Sequence, residues 1–102
     1  MFRITGWGAT GTGNAFVTSQ GSYNGTNNRV VFKWFDTNGS SMGANTDTTA
    51  AVWISYGSST GSGLSIYVKG VVTWDSTNIT ITWTAAGSNS SLTIYYEWEA
   101  EA

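Results

Sequence analysis

Apolar and polar side chains alternate with a period of two along most of the chain, and no stretch carries a 3.6-residue apolar stripe. Phe2 and Ile4 share one face of a strand predicted over residues 2–7. A Gly- and Thr-rich stretch then leads to a short run at 15–20, and residues 21–28 (GSYNGTNN) have the chemistry of a loop. Val30, Phe32 and Trp34 share a face in 29–36, and a long polar connection over 37–47 holds the turn dipeptide Asn38-Gly39. In 48–56 the pattern points Ala50, Val52, Ile54 and Tyr56 inward, before a Gly/Ser loop at 57–63. Leu64, Ile66 and Val68 alternate with Ser65, Tyr67 and Lys69, and Gly70 predicts a bulge or bend ahead of 71–74. After the turn at 75–78, Ile79, Ile81 and Trp83 alternate with Thr80 and Thr82. A connection over 85–91 leads to Leu92, Ile94, Tyr96 and Trp98 on one face of the last strand. About eight short strands with turn signals between them predict an all-β fold, an antiparallel β-sandwich or jelly roll.

Composition changes the picture mainly by exclusion. The chain has 102 residues, which fits a single domain over 1–102. Only 10% are charged and 15% are aromatic, so the chain is not read as disordered despite its many Ser, Thr, Asn and Gly. It contains no Cys, no His and no Pro. That removes disulfides, thiolate metal sites, the commonest general base and the commonest transition-metal ligand. Four scattered cations, Arg3, Arg29, Lys33 and Lys69, cannot neutralise a run of phosphates, so no nucleic acid is expected as a partner. No apolar run approaches the roughly 20 residues a membrane helix needs, and the start of the chain has no apolar signal-peptide core. Cytoplasmic synthesis and no membrane partner are the expectation.

Several motifs match on paper and lack their context. Gly6-Trp7-Gly8-Ala9-Thr10-Gly11 fits G-x-G-x-x-G, but a dinucleotide site needs a helix to start there, and the pattern continues as loop and strand. Gly57-Ser58-Ser59-Thr60-Gly61 fits a nucleophile elbow, with no His to activate the serine. Asp36, Asn38, Ser40 and Asp47 have the spacing of a calcium loop, with Ser41 where glycine is required. Glu97, Glu99 and Glu101 alternate along one face of the last strand, which reads as a charged edge that discourages strand pairing. The sequons at Asn24, Asn38, Asn78 and Asn89 follow from an Asn/Ser/Thr-rich composition. Neither catalysis nor a cofactor nor a metal is expected.

The aromatic residues are the informative set. Strand parity groups Trp34, Trp74, Trp83 and Trp98 with the aliphatic core positions. The same parity puts Trp7, Phe35, Trp53, Tyr67 and Tyr95 on the opposite faces, where a sandwich of this size expects polar residues. These five form the candidate contact surface, for a protein partner or for the C–H faces of a glycan. Loop residues Asn14, Gln20, Asn24, Asn27, Asn28 and Asn45 supply polar groups for the second case.

Two regions carry a family likeness. The opening Ile4-Thr5-Gly6, Gly11-Thr12-Gly13-Asn14 and Val30-Val31-Phe32-Lys33-Trp34-Phe35 resembles the start of small β-sandwich virion proteins of tailed bacteriophages. The closing run from Trp74 to Thr84, with Leu92-Thr93-Ile94-Tyr95-Tyr96, resembles the final hairpin of the same group, which includes capsid decoration (cement) proteins and lectin-like tail-fibre tips. The resemblance covers roughly half the chain, in its period-two pattern rather than in a signature motif. It implies a homotrimer or higher assembly on a virion and no enzymatic activity. A chain that enters its first strand straight after Met1 fits the decoration role, with the major capsid protein as partner. The alternative is a receptor-binding module whose partner is a host polysaccharide.

Overall fold

The computed structural model describes residues 1–10, 17–35, 42–55, 67–87 and 92–101. They form an all-β sandwich with no helix among the described residues: β1 (Phe2–Thr10), β2 (Val17–Tyr23), β3 (Asn28–Phe35), β4 (Met42–Asp47), β5 (Val52–Ser55), β6 (Tyr67–Trp74), β7 (Ile79–Ala86) and β8 (Leu92–Ala100). Every pairing is antiparallel. One sheet has five strands in the order β4-β3-β2-β1-β8, and the other has three in the order β5-β6-β7. The β1–β8 ladder closes the chain ends together, with Met1 N donating to Glu101 O at 2.8 Å and Glu101 N to Met1 O at 2.9 Å.

The smaller sheet does not lie flat on the larger one. It rests on the outer edge of β5, and its two faces pack into two separate clusters. Val52, Ile54 and Val72 join Phe2, Ile4 and Tyr23 on one side, while Trp53 joins Val30, Phe32 and Ala50 on the other. That is why all four residues of β5 are buried although their side chains alternate in direction. Two glycines open the seat for this edge. A Cβ on Gly6 would sit 2.6 Å from Val52 Cγ2, and one on Gly21 would overlap the Ala51 carbonyl oxygen. Ser19, the next inward residue of β2, accepts a hydrogen bond from Trp53 N at 3.4 Å. On this seat each fully buried Phe, Ile or Val contributes about 1.5–3 kcal/mol.

Asn28 ties the sheets together. Its Nδ2 donates to Val72 O at 3.1 Å and its Oδ1 accepts from Val72 N at 2.9 Å. Ala51 N, just before β5, donates to Gly70 O, so Gly70 turns its backbone away from β7 and towards β5. Val72 points the same way two residues on, beyond the last register partner of β5. The Asn28 amide thus takes the place of a missing strand residue, satisfying backbone groups that would otherwise be buried unpaired.

The structure corrects four parts of the sequence reading. Residues 21–23 and 28 are strand, so the predicted loop shrinks to the turn 24–27. Within 37–47, read as a connection, Met42–Asp47 pairs with β3 as an edge strand. Its Gly, Asn and Thr give no alternating apolar signal because its partner on one side only is needed to hold it. Gly70 marks no bulge, since β6 runs in unbroken register from Tyr67 to Trp74 against β7. The glycine is there for room: a Cβ would lie 2.6 Å from Val52 Cγ1. Among the described residues of 48–56 only Val52–Ser55 is strand, and both of its faces are inside; Tyr56 lies outside the described residues.

Turn chemistry is as the residue types suggest. Asn24 Oδ1 accepts from Thr26 N and Asn27 N, with Gly25 at φ 95°, and Asp75 Oδ1 accepts from Thr77 N and Asn78 N, both at 2.8 Å. Those two backbone donors, Thr77 first, hold the Asp75 carboxyl below its ordinary value of 3.8. A depressed carboxylate stabilises the fold above its unfolded-state value and loses that contribution as pH falls through the folded one. Chemical denaturation of wild type and Asp75→Asn from pH 7 to pH 2 is therefore expected to show a gap in favour of wild type that closes below about pH 4. A gap that is independent of pH would contradict this account of the turn.

Candidate functional site

β7 and β8 are the edge strands of the two sheets on the same side of the sandwich, and between them the inner faces stay open. The opening is a cleft of about 280 Å³ lined by Phe2, Ile79, Ile81, Trp83, Tyr96 and Trp98. Trp98, Tyr96, Ile79 and Trp83 are 57, 45, 41 and 38% exposed. Each points inward by strand parity, yet among the described residues no third strand covers it. Tyr96 stands opposite Gly6 and Trp83 opposite Gly70, so each large ring has a neighbour without a side chain. Trp98 stacks on Phe2 at 5.7 Å between ring centroids, and Trp83 reaches Tyr96 across the cleft at 5.6 Å. At one end Trp74 packs edge-on against Tyr23 at 4.6 Å and over Gly25.

The chemistry of this mouth is apolar and aromatic. None of its lining residues carries a charge, and their polar groups are the Tyr96 hydroxyl and the two indole N–H groups of Trp83 and Trp98. Its rims differ. β8 carries Glu97 and Glu99 on its outer face, where Arg3 Nη1 lies 3.4 Å from Glu99 and 3.1 Å from Glu101. These exposed pairs contribute about 0–1 kcal/mol each. β7 carries Thr80, Thr82 and Thr84 on its opposite face and no charge at all.

The five residues taken from the sequence as a contact surface do not come together. Trp7 and Tyr95 do meet, stacked at 5.9 Å on the outer face of the five-stranded sheet, with Tyr95 49% exposed. Trp53 is a correction: it is only 4% exposed, sandwiched between Phe32 at 4.9 Å and Tyr67 at 4.4 Å. Its strand is buried on both faces, so a parity that predicts an outer position leads inside instead. Tyr67 is half-buried against it, with Lys69 Nζ lying over both rings at 5.4 and 5.9 Å. The Phe35 side chain lies outside the described residues, as does that of Trp34.

Trp74, Trp83 and Trp98 are the reverse case. Parity put them in the core, and the structure leaves them half-open at the mouth. One signal distinguished them in advance. Each of the three carries an indole N–H, a polar tip suited to a wet boundary, whereas Ile4, Val52, Ile54 and Val72 of the closed core have none; Ile79 and Ile81 of the same mouth gave no such sign.

The weaker motifs find no supporting geometry among the described residues. Gly6 to Thr10 lie within β1, so no helix starts in that part of the glycine pattern. Asp47 Oδ1 is occupied by Thr49 N at 2.6 Å and Ala50 N at 3.1 Å, while Asp36, Asn38 and Ser40 lie outside the described residues, as does the whole 57–61 motif. Among the described residues no group of three or more acidic side chains gathers as a metal site. Of the polar residues named for glycan contact, Asn28 is spent on Val72 and Asn24 on its own turn. Comparison with family models, curated proteins and solved structures finds no match to this chain.

Proposed function

We propose that this protein is a non-enzymatic assembly module whose open aromatic mouth docks onto protein surface. The observation that carries the reading is the uncharged lining from Phe2 to Trp98, held open between two edge strands. Exposed aromatic clusters of this kind mark interaction sites, and rigid Trp and Tyr rings bury large areas at low entropic cost. Sugar recognition would need carboxylate or amide side chains beside the rings, and the lining residues include none. Joined to the sequence resemblance, the reading becomes a structural protein of a phage particle. Its most concrete form is a decoration protein that self-associates, as a trimer by that resemblance, and clamps neighbouring capsid subunits. Anything that binds only the assembled shell stabilises it by mass action.

Mass measurement of the free protein, followed by co-sedimentation with phage heads, tests this directly. Wild type is expected as an oligomer that pellets with heads, and Trp98→Ser is expected to weaken head binding by about tenfold or more while the domain stays folded. A monomer that ignores heads and gives a saturable tryptophan fluorescence change with host polysaccharide would replace this reading with the receptor-binding one.

A further inference from the structure

The two sheets have four edges, and three of them are blocked. The outer edge of β5 is seated on the five-stranded sheet through Trp53 N and Ser19. β8 carries Glu97 and Glu99, which would face like charges in a pair of β8 strands. β4 is six residues long with Gly43 inside it and Asp47 at its end, which makes a weak template. The fourth edge, β7, has none of these defences. It is eight residues long, regular in register throughout, uncharged, free of Pro, and exposed on both faces for most of its length.

The backbone groups on that edge can be named. Gly70 and Val72 turn away from β7, as their bonds to Ala51 and Asn28 show. The alternation of an antiparallel ladder then makes Lys69, Val71 and Thr73 the residues bonded to Thr84, Thr82 and Thr80. Ile79, Ile81, Trp83 and Ala85 therefore turn their N–H and C=O groups outward to the open edge. Such a row is a ready template for another strand.

We infer that this edge pairs with the β7 of a second copy, antiparallel, extending the three-stranded sheet to six strands. The inference rests on the assembly reading and names its partner. Charge pattern selects the occupant: a two-fold pair of β7 strands sets no charge against its like, as a β8 pair would. The symmetry axis of such a pair is perpendicular to the sheet, so each face meets the same face of the other copy. With Thr82 on the axis, Ile81 of each copy lies opposite Trp83 of the other, and the two aromatic mouths merge into one apolar surface.

Thr82→Lys tests it, because Thr82 is exposed, points away from the mouth and belongs neither to its lining nor to either core cluster. Native mass spectrometry of wild type is expected to show an even-numbered oligomer, a hexamer of two trimers joined through β7 where the three-fold association also forms. Hydrogen exchange at the Ile81 and Trp83 amides is expected to slow as protein concentration rises. Thr82→Lys is expected to halve the mass at the same concentration, raise the dissociation constant about tenfold or more, and leave the circular dichroism unchanged. An unchanged mass in Thr82→Lys, or fast exchange at 81 and 83 in the oligomer, overturns the inference. If Trp98→Ser abolishes head binding while Thr82→Lys keeps its mass, the mouth reading stands and the β7 pairing falls. A wild type that is monomeric both free and beside phage heads removes both.

Discussion

Gly21→Ala is expected to be more damaging than alanine at Gly6, Gly25 or Gly70. The added Cβ would overlap the Ala51 carbonyl oxygen and come 2.7 Å from the Arg29 carbonyl oxygen, both of them backbone atoms. No rotamer change can relieve such a clash, so β5 must lift off its seat. Lifting it loosens both clusters at once, since Val52 and Ile54 belong to one and Trp53 to the other. Overpacking costs of about 3 kcal/mol or more are expected, a large share of the 5–15 kcal/mol typical of a domain. In thermal unfolding that is a fall in melting temperature of roughly 10–25 °C, or no cooperative transition at all. Gly25→Ala gives the useful contrast, because that glycine is exposed and its Cβ would meet only the Trp74 ring edge at 3.0 Å. Its cost comes from the positive φ, about 1–2 kcal/mol. A Gly21→Ala protein as stable as Gly25→Ala would refute the seated-edge description.

Asn28→Ala is expected to cost about 2–4 kcal/mol, with a matching loss of denaturation midpoint. The substitution removes two hydrogen bonds and strands both backbone groups of Val72, which is fully buried. Asn28→Asp is expected to be no better near neutral pH. It keeps an acceptor for Val72 N but sets a carboxylate oxygen against the Val72 carbonyl where a donor stood. Equal stabilities for wild type and Asn28→Asp would mean that the side chain does not bridge the sheets. Neither variant alters the mouth lining, so on the proposed docking reading both should still pellet with phage heads at temperatures where they remain folded.

Much of this was legible in the chain. Alternation located six of the strands to within a few residues, because a half-buried antiparallel strand writes its burial as a period of two. Two errors then cancelled in the count of eight. β4 went unseen, since an edge strand rich in Gly, Asn and Thr contributes pairing without an apolar face, and β6 was divided at Gly70. The glycine signal was real but had another cause. A glycine in a strand announces either a bulge or the close approach of another element, and only the position of Val52 says which.

The candidate surface was harder, and its failure is instructive. Parity sorts residues onto two faces but does not say which faces are covered. Trp53 and Trp83 were assigned by the same rule, and both assignments were inverted. β5 is wedged between two clusters, so its outward residue is inside, while β7 has no neighbour beyond it among the described residues, so its inward residue is half-open.

By itself the sequence settled the class of the fold and the style of its chemistry. Strand periodicity, Asx turns and the absence of His and Cys are local or compositional, and need no partner in space to be read. The seating of one sheet on its edge and the Asn28 bridge depend on residues 30 or more positions apart, and the open mouth depends on how Trp83 and Tyr96, from different sheets, come to face each other. Those were decided by how close two backbones can come where a side chain is missing, and by which polar groups then need a partner.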